Sequence, residues 1–346
     1  MLGTKLAEAG WLPDPLIRIG IRRILRRRLR ELDCADAAAR SERNRAFRAA
    51  LSAGPIALVP ELANRQHYEL PAAFFEQVLG SRLKYSCALF AGDADDLDAA
   101  EERMLERTCE RAGVQDGMRI LDLGCGWGSL SLFLAERYPS ARILAVSNSK
   151  SQREFILGRC ARRGTHRVEV VTADVNRFEP GRRFDRVISV EMFEHVRNQA
   201  ALLARIADWL EPEGRLFVHH FAHRSAAYPF EDAGEDDWMA RHFFSGGIMP
   251  SNDQLEHFQR DLALERRWVV SGTHYQRTAL AWLARQDARR DAILESLAGV
   301  HGPADAELWF QRWRLFFLAC AELFGYRGGE EWWVVHARMQ PRRRAP

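Results

Sequence analysis

From residue 118 to 221 the chain alternates short apolar runs with segments whose apolar positions recur at helical spacing. The runs at 118–123, 142–147, 167–172, 184–190 and 214–221 read as strands, and Ala200, Leu202, Leu203, Ile206, Ala207 and Leu210 line one face of a helix between the last two. A strand near 266–272, a helical stretch over about 278–325 and a last strand at 332–336 follow. Such alternation predicts an α/β fold whose mostly parallel sheet is covered on both faces. Residues 1–60 read as helical, with Ile17, Ile21, Ile24, Leu25 and Leu29 on one face of an arginine-rich helix. Residues 61–115 are aromatic and too irregular for a single helix, and form either a lid over a ligand site or a packed connector. The core domain then spans 116–346, with insertions at 222–260 and 278–328 that are too long for simple connections and shape a substrate pocket.

The first strand of the core runs into Asp122-Leu123-Gly124-Cys125-Gly126-Trp127-Gly128 and then directly into a helical pattern. Glycines at a strand-to-helix turn permit tight reversal and close approach of a ligand to the backbone. A dinucleotide fingerprint wants its third glycine three residues after the second, and a carboxylate about 20 residues on. Here position 129 is Ser, and the next strand ends in Ser147-Asn148-Ser149 without an acid. The spacing resembles instead the first motif of S-adenosylmethionine (SAM) methyltransferases.

Composition narrows the partners. The net charge of +3 across 346 residues gives no global signature of nucleic-acid binding. Six scattered cysteines lack paired ligand spacing and read as reduced thiols of a cytoplasmic protein. An arginine-rich amphipathic helix at 17–30 either lies on anionic membrane or packs its apolar side on the protein, and packing is the commoner outcome.

Ligands of open α/β sheets bind at the carboxyl ends of the strands. After strand 184–190 come Glu191, Glu194 and His195, which share a face if the turn begins a helix. Two carboxylates and an imidazole so placed can act as a base, mutual repulsion raising one carboxyl pKa. Asp174 ends the next strand, where an acid can meet an adenine amino group. His219 and His220 alternate along a strand and point to opposite faces, so no metal is expected. Cys87 carries no mark of an activated nucleophile. Trp332 and Trp333 read first as core, with one able to reach a pocket.

Taken together, these residues resemble the cyclopropane-fatty-acid synthase superfamily of SAM methyltransferases, and within it the coclaurine N-methyltransferase branch. The likeness runs from about residue 60 to 340. It rests on residues 66–71 and 83–87, the glycine motif, and the stretches at 148–150, 191–195, 218–221, 236–238 and 321–326. It implies a Rossmann-like class I fold with a seven-stranded sheet and an N-terminal helical lid region. It also implies SAM held by Tyr85 and Ser86 at the methionine end and by Gly124 and Gly126, with Asp122 beside them. Ser147, Asn148 and Gln152 would reach the ribose, and Asp174 and Val175 the adenine.

The lipid enzymes of this superfamily hold a bicarbonate base through a cysteine, a glutamate, a histidine and a tyrosine. Cys87, Glu194 and His219 match the first three, whereas Phe317 and its neighbours stand where the tyrosine is expected. Glu191 replaces a glycine. Both departures favour transfer to an amine nitrogen over lipid chemistry, with Glu191, Glu194 or His195 as base. The pocket is expected to include Cys87, His219, Phe221, Phe317 and Trp332. The expected partner is a small arylalkyl or isoquinoline-like amine. The alternatives are a lipid C-methyltransferase or cyclopropane synthase docked through helix 17–30, and a SAM-binding scaffold without activity.

Overall fold

The computed structural model describes residues 2–33, 36–58, 70–232, 234 and 237–342. Motif residues 66–69, with Cys34, Glu235 and Asp236, lie outside them.

Among the described residues nine strands are present: β1 (Arg119–Leu123), β2 (Arg142–Ser147), β3 (Val168–Thr172), β4 (Phe184–Val190), β5 (Leu210–His223), β6 (Tyr228–Pro229), β7 (Ile248–Met249), β8 (Leu262–Val270) and β9 (Trp332–Pro341). Seven form one sheet in the order β3-β2-β1-β4-β5-β9-β8. The five strands from β3 to β5 pair in parallel, and β9 pairs antiparallel with both β5 and β8. This is the class I SAM methyltransferase fold. The central strands are apolar on both faces because helices cover both faces, and β1 buries four of its five residues.

Local chemistry sets the helix ends. Asp96 accepts from the Ala99 N–H at 2.8 Å to start the helix Leu97–Ala112, and Gly113 ends it with φ 67°. Ser149 and Asn198 cap the helices Lys150–Arg162 and Gln199–Trp209 in the same way. The expected helical stretch at 278–325 is three helices, Gly272–Ala288, Arg290–His301 and Ala306–Phe324. It breaks where Gly302 takes φ 84°, a left-handed conformation that a helix cannot continue through.

The 222–260 segment is likewise ordered locally, holding the β6–β7 ribbon and the short helix Trp238–His242. The basic helix Asp14–Leu32 turns its apolar side inward. Ile17 and Leu25 are buried, and Arg18 and Arg22 both pair with the buried carboxylate of Glu322. No described helix is long and apolar enough to cross a membrane.

Candidate active site

β1 delivers its carboxyl end to a cleft holding about 1360 Å³ of space including its open mouth. Gly124 turns there with φ 88°, and a Cβ on it would sit 2.7 Å from Met192 Cγ. Only glycine satisfies both demands. Behind the turn Asp122, 1% exposed, accepts a 2.6 Å hydrogen bond from the Ser131 hydroxyl, and burial pushes its pKa up to about 6.

Tyr85, Ser86, Asp122, Gly124, Gly126, Ser147, Asn148, Gln152 and Val175 all line this cleft, as do Glu191 and His195. Asp174 does not: its Oδ1 accepts from the backbone and side-chain amides of Asn176 at 2.9 and 3.0 Å. Those bonds tie Oδ1 into a local turn and leave Oδ2 as the oxygen for the role expected at an adenine amino group. Buried donors at Gln152 Nε2 and Ser129 Oγ have no hydrogen-bond partner among the described residues. Unsatisfied donors on cleft-lining residues fit the polar ribose and amino-acid parts of SAM, and the glycine turn leaves room for its backbone approach.

The turn after β4 departs from the expected helix. Glu191 has φ 47°, and only Phe193–His195 follow as a single 3₁₀ turn. Glu191, Glu194 and His195 therefore do not share a helical face. The twist separates the two carboxylates. Glu191 faces the cleft, where its Oε1 accepts from the Cys87 N–H at 2.9 Å and lies 3.1 Å from His219 Nε2. Its Oε2 accepts from the Tyr275 hydroxyl at 2.5 Å. Burial raises its pKa while the buried Lys84 ammonium opposes that shift.

Glu194 lies behind the cleft, with Oε1 accepting from the Phe221 N–H at 2.7 Å. Burial first, and the Glu191 charge second, push its pKa well above the carboxylate range. His195 lines the cleft against the Phe244 ring, and burial holds its pKa down to about 4.

The residues expected to form the substrate pocket lie outside the cleft lining. Phe317 and Trp332 are fully buried: the former packs on Trp282, Trp313 and Phe316, and the latter donates from its indole to the Tyr228 hydroxyl. Phe221 packs between Phe244 and Phe324. Cys87 and His219 contact Glu191 and do not line the cleft themselves. Burial raises the Cys87 thiol well above its usual pKa, which opposes the thiolate form a nucleophile needs.

The missing hydroxyl is also corrected, because Tyr275 on the helix Gly272–Ala288 supplies one. Sequence reasoning overlooked Tyr275, Lys84 and His336. Lys84 is 2% exposed and donates to the Ser86 hydroxyl and the Cys87 carbonyl at 2.5 and 2.7 Å. A lysine inside the apolar-aromatic run at 83–90 was the one signal for it. Nothing in the sequence pattern marked Tyr275.

Residues 60–330 match the family model described as mycolic acid cyclopropane synthetase. The (S)-coclaurine N-methyltransferase of Thalictrum flavum subsp. glaucum is 41% identical, with 81% of this chain and 79% of that enzyme covered. The pavine N-methyltransferase of the same plant is 35% identical, covering 77% and 75%. A crystal structure of coclaurine N-methyltransferase bound to N-methylheliamine and SAH superposes with a TM-score of 0.94 at 37% identity, covering 97% of this chain and 98% of that one. With its glycine turn, cleft and sheet order in place, the chain belongs to the mycolic acid cyclopropane synthetase family, and it is a SAM-dependent methyltransferase.

Proposed function

We propose that this enzyme methylates the nitrogen of a small isoquinoline-like amine. The observation that carries the reading is Glu191. The Cys87 N–H, His219 Nε2 and the Tyr275 hydroxyl converge on its carboxylate, so donors that would suit a bound anion are already taken by a side chain. A fixed negative charge there repels a bicarbonate and attracts an ammonium. The similarity to amine methyltransferases supports the same reading.

Bound SAM supplies an electrophilic methyl group, which a neutral amine attacks in line with the sulfur. The chain's own work is binding, alignment and proton removal. Glu191 draws the ammonium into the cleft. His195 offers a neutral imidazole to the proton the amine gives up; burial weakens it as a base, and the Glu191 charge partly offsets that. Glu194 does not line the cleft, burial pushes its carboxyl toward the protonated form, and its work is to fix the Phe221 backbone. Tyr85 and the described part of the 61–115 segment form the lid.

Transfer of label from SAM to 1,2,3,4-tetrahydroisoquinoline, set against unsaturated phospholipid vesicles, tests the reading. Label is expected in the amine, falling by about 10²-fold or more in His195→Ala and sharply in Glu191→Gln. Label in the lipid fraction overturns it. A peripheral membrane contact belongs to that lipid outcome. With Ile17 and Leu25 packed inward, the exposed Leu16, Ile19, Arg23, Arg26 and Arg30 are left to make it, and sedimentation with anionic vesicles reads it directly.

A further inference from the structure

A row of buried side chains crosses the sheet behind Glu191. His219 on β5 and His336 on β9 are direct cross-strand partners, and both are fully buried. His219 Nε2 lies 3.1 Å from Glu191 Oε1, His219 Nδ1 lies 2.9 Å from His336 Nε2, and His336 Nδ1 lies 2.8 Å from Arg111 Nη1. Arg111 sits in the last turn of the helix Leu97–Ala112, its guanidinium 5.1 Å over the ring of Trp268, which pairs with His336 across β8 and β9. The row thus links the cleft carboxylate to a cation at the far side of the antiparallel strands.

Its direction follows from donor chemistry. A guanidinium donates and never accepts, so the His336 Nδ1 that faces Arg111 carries no proton. Burial and the nearby Lys84 and Arg111 cations keep both imidazoles neutral, which leaves each ring one N–H and one bare nitrogen. His336 therefore holds its proton on Nε2 and donates it to His219 Nδ1. His219 in turn holds its proton on Nε2 and donates it to Glu191 Oε1.

We infer that Arg111 and His336 are positioning residues: they fix the direction of this chain, so that Glu191 meets an N–H and keeps its negative charge. In the reversed chain each ring carries its proton on Nδ1. The bare Nε2 of His219 then faces Oε1, a lone pair against a lone pair, unless Glu191 takes up a proton and donates it. Such a neutral Glu191 has no charge with which to draw in an ammonium. The hydrogen-bond direction is independent of the substrate, while this last consequence rests on the amine reading.

The test uses full-length protein labelled with ¹⁵N in its histidine rings, and long-range ¹H–¹⁵N spectra that separate protonated from bare nitrogens. Wild type and Arg111→Lys, which retains a donor, are expected to show both rings protonated on Nε2. Arg111→Met is expected to move His219 and His336 to the Nδ1–H form. A proton on Nδ1 of either ring in wild type overturns the proposal, and that measurement requires no variant to fold. Unchanged tautomers in folded Arg111→Met overturn it as well. In parallel, KM for tetrahydroisoquinoline is expected to rise about tenfold in Arg111→Met with kcat little changed, and to recover in Arg111→Lys. Tautomers as expected with an unaltered KM support the chain and count instead against Glu191 as the group that attracts the amine.

Discussion

Single residues carry the site through constraints of very different visibility. Gly124 was readable from its motif because a positive φ and a close approach to Met192 both demand glycine. Gly124→Ala is therefore expected to weaken SAH binding by tenfold or more, on the order of 1.4 kcal/mol, as measured by calorimetry, with the melting temperature of the ligand-free protein falling less. Asp122 and Ser147 sit at the ends of β1 and β2 and Gln152 in the first turn of the helix after β2, and all three line the same cleft. Tyr275 was not, since its hydroxyl meets Glu191 across 84 residues of sequence and only tertiary packing brings them together. Phe317 misled for the converse reason: an aromatic at helical spacing is most often core, and this one is.

At the scale of elements, β1 to β4 were legible to within a residue because parallel strands buried on both faces read as unbroken apolar runs, whereas β5 and β8 begin four residues before their expected starts and β9 runs five past its expected end. The turn after β4 was not legible, because Glu191 adopts a left-handed conformation that its residue type does not announce. The carboxyl end of β5 offers a check on how these elements hold their polar groups. There His223, 3% exposed, accepts from the Ala226 and Ser225 N–H groups at 2.9 and 3.2 Å through Nδ1, and burial holds its pKa down to about 4.

Because that pKa lies below the value of about 6.5 in an unfolded chain, the unfolded state binds the proton first as pH falls. The neutral histidine's contribution is full above that value and is lost on the way down to about 4. His223→Asn, whose Oδ1 replaces the Nδ1 acceptor, is thus expected to be less stable than wild type at neutral pH. The gap should narrow by roughly 2 kcal/mol between about pH 7 and pH 5 in urea melts.

Across the whole molecule, the basic N-terminal helix is tied to the helix Ala306–Phe324 by charge as well as by its apolar side. Glu322, 4% exposed, takes both Arg18 and Arg22, and Arg314 reaches back to Asp14 at 3.1 Å. Arg22 is half exposed, so solvent screens much of that pair. Glu322→Gln is expected to cost about 1 kcal/mol of stability and to speed tryptic cleavage within residues 18–30 under native conditions. Unchanged cleavage would mean that Ile17 and Leu25, with the Arg314–Asp14 pair, hold the helix in place without Glu322.

The left-handed backbone at Glu191 is the conformation glycine adopts without strain. Any residue but glycine is strained there by on the order of 1 kcal/mol, and glycine is what the resemblance assigns to the lipid enzymes at this point. Reverting Glu191→Gly would relax the main chain and leave the Cys87, His219 and Tyr275 donors facing an empty space of carboxylate shape. One side chain thus separates a built-in carboxylate from a receptor for a borrowed one, and restoration of activity to that variant by added formate or bicarbonate would show the two to be interchangeable.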